Sequence, residues 1–233
     1  MYNKSKQTHN LWWSWKEVSL LLIVTFIFVP VFIEYMLHGI LYSVFQDSLY
    51  SGTLTGFVMA GVFMLALYLV ALRPQRLSWK AVGIRPFHSG YWKWIGIWTL
   101  LLIGASVIVL FMMERFNIGW ENEKTEALHA NMTWISFLFA FVSAAIISPV
   151  YEEIFYRGFL YKWFRSKWGG AAGIVSSSTI FTLVHIPTYN TLPVNFISGI
   201  IFAWTYEKTN SVFPAMIIHG IFNGLAVILT ALA

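Results

Sequence analysis

Val150-Tyr151-Glu152-Glu153-Ile154-Phe155-Tyr156-Arg157-Gly158 places two adjacent carboxylates and an arginine behind an apolar run that begins near Trp134. A charged side chain inside a bilayer costs about 2.5–3.5 kcal/mol on insertion scales, so intramembrane charges mark functional sites. The rest of the chain decides whether this run is a membrane helix. Of 233 residues, 58% are hydrophobic and 11% charged, and the mean hydropathy is +0.67. A soluble domain of this length carries about 25% charged residues. Apolar runs recur throughout, which predicts an all-α polytopic transmembrane bundle of about seven spans.

Working outward, the segment behind the glutamates carries Arg157, Lys162, Arg165 and Lys167. By the positive-inside rule it faces the cytoplasm. Gly169, Gly170 and Gly173 turn the chain into a helix near Ala172–Ile186, stopped by Pro187. Further helices are expected near Pro193–Tyr206 and Val212–Leu232, around the Glu207–Asn210 turn. Upstream, helices are expected near Val18–Leu37, Leu54–Leu72 and Trp94–Met113, and the glutamate helix is expected to start near Met132. The loop with Arg73, Arg76, Lys80, Arg85 and Lys93 has no acid. The loop with Glu114, Arg115, Glu121, Glu123, Lys124 and Glu126 is mostly acidic and suits the outside. Lys4, Lys6 and Lys16 with Trp12, Trp13 and Trp15 form an interfacial anchor. These charges set the N-terminus in the cytoplasm, with the plasma membrane the expected location. The first apolar run reads as a retained anchor. The chain divides into residues 1–131, without motif, and a core over residues 132–233, within one integrated domain.

No cysteine is present, which excludes disulfides, thiolate metal sites and thiol nucleophiles. The net charge of +5 lies in particular loops and predicts no nucleic-acid partner. There is no glycine-rich phosphate loop and no His-Glu-x-x-His helix.

Three polar groups on successive apolar segments carry the chemistry. Glu153 and Arg157 are four apart, the spacing of a helical ion pair. Glu152 then projects without its own cation and can act as a general base. Phe181 and His185 share one face, and a neutral His185 can share a water with Glu152. His219 and Asn223 share a face of the last helix, and their donors suit the oxyanion of a tetrahedral intermediate. Gly220 and Gly224 leave the neighbouring face open for close packing. Taken singly, each has a structural reading: headgroup charges, a helix-end histidine bonded to backbone, or interhelical polar contacts. Together they point to water-mediated peptide-bond hydrolysis within the membrane. The expected boundaries put Glu152 toward the cytoplasmic end of its helix and His185 toward the outside. The two meet only if one helix is displaced.

The order Glu-Glu-x-x-x-Arg (Glu152, Glu153, Arg157), Phe-x-x-x-His (Phe181, His185) and His-x-x-x-Asn (His219, Asn223) resembles the CPBP family. This family of CAAX proteases and bacteriocin-processing (Abi) proteins includes the type II CAAX prenyl endopeptidase. The resemblance spans roughly Met132–Leu229. It implies an intramembrane endopeptidase in which Glu152 and His185 activate water, His219 and Asn223 hold the oxyanion, and Glu153, Arg157 and Phe181 support them. Family members have been described both as metal-free glutamate proteases and as metalloproteases. Either no cofactor is needed, or zinc is bound, with Glu152, His185 and His219 the available ligands. Implied partners are the lipid bilayer and a hydrophobic or lipidated peptide. A catalytically silent immunity or scaffold protein and a proton-coupled transporter remain alternative readings of the same residues.

Overall fold

The computed structural model describes residues 12–119, 125–126 and 133–232. Met132, His129, the Glu121–Lys124 acids and base, and the tail with Lys4, Lys6 and His9 lie outside them. Among the described residues there is no strand, and seven helices build the molecule. They are α1 (Trp15–Phe45), α2 (Ser48–Leu72), α3 (Ser89–Arg115), α4 (Trp134–Trp168), α5 (Gly170–Leu183), α6 (Leu192–Thr209) and α7 (Phe213–Leu232). Five of them, α1–α4 and α7, are long and apolar enough to cross a membrane, while α5 is shorter. Their outer faces remain apolar, with Leu100, Phe111 and Leu229 all strongly exposed. That is the surface of an integral membrane protein, whose solvent on those faces is lipid.

Caps explain where the helices depart from the expected bounds. Ser14 and Glu17 form a capping box that starts α1 early. Gln46, in the left-handed conformation, ends α1 at Phe45, so His38 lies inside the helix rather than at its end. The Asp47 side chain accepts from Tyr50 N at 2.9 Å and opens α2. At α5 the helix stops at Leu183, and His185 sits in the turn beyond it, correcting the expected Ala172–Ile186 helix.

The largest difference is α4. It does not end with the glutamate motif but continues to Trp168, 35 residues in all, so Glu152 lies near its middle. This continuation resolves the conflict of depth between Glu152 and His185. The segment from Tyr151 to Tyr161 is buried throughout, and Phe155, Phe159 and Leu160 form the main core with Leu21, Phe63 and Phe181. A smaller core of Ile95, Leu102, Phe202 and Ile218 joins α3, α6 and α7.

One end of the bundle gathers the basic loops. Trp13 Nε1 donates to Ala71 O at 2.9 Å, and Trp163 Nε1 donates to Trp13 O at 3.2 Å. Lys162 Nζ donates to Ala81 O at 2.8 Å, and Val212 N donates to Gly83 O at 3.0 Å. The start of α1, the end of α2, the end of α4 and the start of α7 therefore share this end, as alternating helices require. Gly158 lets the 79–83 turn lie against α4, since a Cβ there would stand 2.2 Å from Val82 O.

Candidate active site

The site forms where α7 crosses the middle of α4. Within α4, the α-helical turn Ser148–Glu152 is flanked by π-helical segments Ser143–Ile147 and Glu153–Tyr161. Such wide turns recur at functional sites because they break the regular ladder. Pro149 gives the local cause. It has no N–H, so in a π register the carbonyl five residues earlier, that of Ala144, goes without a backbone donor. Asn223 Nδ2 of α7 donates to Ala144 O at 3.0 Å. Gly220 allows this approach, for a Cβ there would lie 2.5 Å from Ala145 O. The predicted close packing at Gly220 and Gly224 is present, and Gly224 faces Phe141 and Ala145.

Glu153 and Arg157 pair as their spacing predicts, with Nη1 to Oε1 at 3.0 Å, and neither is exposed to solvent. The reading of headgroup charges is thereby excluded for this pair. Arg157 also donates to Gly199 O at 3.4 Å and lies over the rings of Phe181 and Phe202, 4.3 and 5.0 Å from their centroids. Cation–π contacts of this kind gain strength when desolvated. Phe181 thus supports the arginine as well as packing on His185, whose ring lies 4.9 Å away.

His219 stands between the two glutamates. Its Nδ1 is 2.9 Å from Glu153 Oε1, and its Nε2 is 3.9 Å from Glu152 Oε2. An ionised carboxylate only accepts hydrogen bonds, so Nδ1 donates to Glu153 and Nε2 faces Glu152. The ring stacks on Phe202 at 4.7 Å. Glu152 Oε1 accepts from the Ser148 hydroxyl, while the buried Oε2 has no hydrogen-bond partner among the described residues. Glu152 is within electrostatic reach of both histidines. His185 Nδ1 and Phe181 O are 2.7 Å apart, the helix-end backbone contact that the structural reading of this residue anticipates.

All four residues expected to be catalytic therefore come from α4, the α5–α6 turn and α7. Two contacts were not foreseen. His219 is tied to Glu153, and Asn223 Nδ2 is engaged by α4 backbone. Ser148 was not singled out at all, although its spacing of four from Glu152 is visible in the sequence. Among the described residues, no three His, Asp or Glu side chains are grouped as a metal would require. Glu152, His185 and His219 as placed do not form that set.

This arrangement defines a polytopic helical membrane protein with an enclosed Glu–His–Glu–Arg network. Residues 134–225 match the family model described as type II CAAX prenyl endopeptidase Rce1-like, a stretch that holds every motif residue. The chain is 28% identical over 130 residues to the UPF0177 protein YbdI of Lactococcus lactis subsp. lactis strain IL1403, covering 53% of this chain and 66% of the relative. It is 25% identical over 151 residues to the UPF0177 protein in the abiGi 5′ region of Lactococcus lactis subsp. cremoris, covering 60% and 63%. It is 24% identical over 177 residues to "Putative membrane peptidase YdiL" of Bacillus subtilis strain 168, covering 72% and 71%. The match thus spans just under two thirds of the first two relatives' own length. No solved structure matches the chain. These similarities agree with the resemblance drawn from the three motifs, all of which lie in the stretch that is similar to the Rce1-like family model.

Proposed function

We propose that this protein is an intramembrane endopeptidase that hydrolyses a peptide bond with Glu152 as general base. The observation that carries the reading is the 3.9 Å separation of Glu152 Oε2 and His219 Nε2. At that spacing one oxygen atom can hydrogen-bond both groups at about 2.8 Å each. Glu152 takes a proton from water as the water oxygen attacks the carbonyl carbon, with His185 as its partner on that water. His219, held by Glu153, and the second N–H of the Asn223 amide stabilise the oxyanion. Collapse of the intermediate breaks the C–N bond, and the proton on Glu152 passes to the departing amine.

The substrate class follows from the similarity to a CAAX prenyl endopeptidase and from the apolar surroundings of the site: a hydrophobic or lipidated peptide reached from the bilayer. The protein resides in the plasma membrane with its N-terminus and basic loops in the cytoplasm. The test is cleavage of prenylated and plain hydrophobic peptides by purified protein, wild type beside Glu152→Gln. Cleavage lost only in the variant supports the reading. Equal turnover by both overturns the mechanism. Protection of a binding partner without cleavage favours an immunity or scaffold role, and solute transport without cleavage favours a transporter.

A further inference from the structure

Thr25, Thr55, Thr99, Ser106, Thr179 and Thr182 each donate their hydroxyl to the carbonyl four residues earlier, at 2.7–2.9 Å. That is a common arrangement for a hydroxyl within a helix. Ser148 differs: its hydroxyl donates to Glu152 Oε1. The carbonyl that it would otherwise meet belongs to Ala144, which accepts from Asn223 Nδ2. Ser148 and Glu152 begin and end the one α-helical turn between the two π-helical segments, and i,i+4 spacing puts them on one face. With Oε1 committed to Ser148, the oxygen nearest His219 Nε2 is Oε2, which has no hydrogen-bond partner among the described residues.

We propose that Ser148 is a positioning residue for Glu152, and that Asn223 supports it from α7 by occupying the Ala144 carbonyl. Ser148 thereby fixes which carboxylate oxygen serves as the base, and α7 docking is coupled to the orientation of that base. The proposal deepens the peptidase reading and rests on it for its catalytic consequence, but the hydrogen-bond arrangement has a readout of its own.

The experiment uses full-length protein in detergent as wild type, Ser148→Ala, Ser148→Thr, Asn223→Ala and the Ser148→Ala/Asn223→Ala double variant. Peptide cleavage is measured with kcat and KM separated. Modification of Glu152 by dicyclohexylcarbodiimide, located by mass spectrometry, needs no substrate, and Glu152→Gln gives its zero. Ser148→Ala is expected to lower kcat about tenfold or more with KM nearly unchanged, because a hydrogen bond to a charged group is lost. Ser148→Thr, which keeps the hydroxyl, restores most of that activity. Carbodiimide modification of Glu152 rises in Ser148→Ala and in Asn223→Ala, stays low in Ser148→Thr, and is no higher in the double variant than in Ser148→Ala. Such non-additivity marks residues that act through one contact. Unchanged modification in Ser148→Ala, or additive effects in the double variant, overturns the proposal. If modification responds as expected while the wild type cleaves no peptide, the positioning role stands and the peptidase reading alone fails.

Discussion

His219 and Glu153 meet at 2.9 Å between α7 and α4, 66 positions apart in the chain, and both are buried. The same Glu153 oxygen accepts from Arg157. One carboxylate oxygen therefore holds a permanent cation on one side and orients a titratable ring on the other.

Removing that carboxylate leaves Arg157 buried and unpaired. Glu153→Ala should cost about 3–5 kcal/mol, the range for breaking a buried pair from one side. Glu153→Gln keeps an acceptor oxygen and should lose less. Thermal unfolding in detergent measures both, and a Glu153→Ala midpoint equal to wild type would refute the structural role.

Glu152 behaves differently, because it holds no buried cation in a direct hydrogen bond; its Oε1 accepts from the Ser148 hydroxyl. Glu152→Gln should abolish cleavage by at least about 100-fold, the contribution expected of a general base, while the unfolding midpoint stays close to wild type. A large drop in that midpoint would recast Glu152 as structural.

Gly220 and Gly224 separate packing from mere proximity. A Cβ at Gly220 meets the Ala145 carbonyl at 2.5 Å, whereas at Gly224 it meets side-chain atoms of Phe141 and Ala145 at 3.1–3.4 Å. Gly220→Ala should therefore push α7 off α4, cost about 1–3 kcal/mol as overpacking does, and reduce cleavage more than Gly224→Ala. Equal effects of the two substitutions would contradict this geometry.

Cleavage should survive a strong zinc chelator. Loss of activity that returns with added zinc would turn Glu152, His185 and His219 into metal ligands, which their present placement does not make them.

The Arg165–Glu207 pair joins α4 to α6 at the basic end, with side chains 43% and 25% exposed. Arg165 grips the carboxylate with two donors, and the buried Tyr161 hydroxyl donates to it as well. Glu207→Gln keeps one acceptor oxygen, so it should leave cleavage unchanged and lower the unfolding midpoint by the equivalent of about 1 kcal/mol, the upper end for a partly exposed pair.

Much of this was legible from residue type and spacing alone. The i,i+4 interval yielded the Glu153–Arg157 pair, and small residues on the last helix marked its close approach to another. Loop charges fixed the alternation of the helices. The length of α4 was not legible, because a run of mixed polarity after Glu152 reads as a helix end until Tyr156, Arg157 and Tyr161 are seen buried by other helices. The end of α5 differs from expectation because Val184 and Ile186 continue the apolar pattern although the helix stops at Leu183. The roles of Ser148 and Asn223 depend on which donor takes the Ala144 carbonyl. That competition is settled by tertiary contact between α4 and α7, and no periodicity reveals it.

The position of Glu152 halfway along a 35-residue helix constrains any polypeptide that reaches it. At that depth a helical substrate keeps its carbonyls paired along its own backbone, since hydrocarbon offers no other donors. In the mechanism proposed above, its scissile carbonyl must be released before His219 and Asn223 can receive it. Chain ends, and segments loosened by glycine or proline, give up those pairings at least cost, so local unwinding of the substrate, more than the side chain beside the cleaved bond, would decide what is cut.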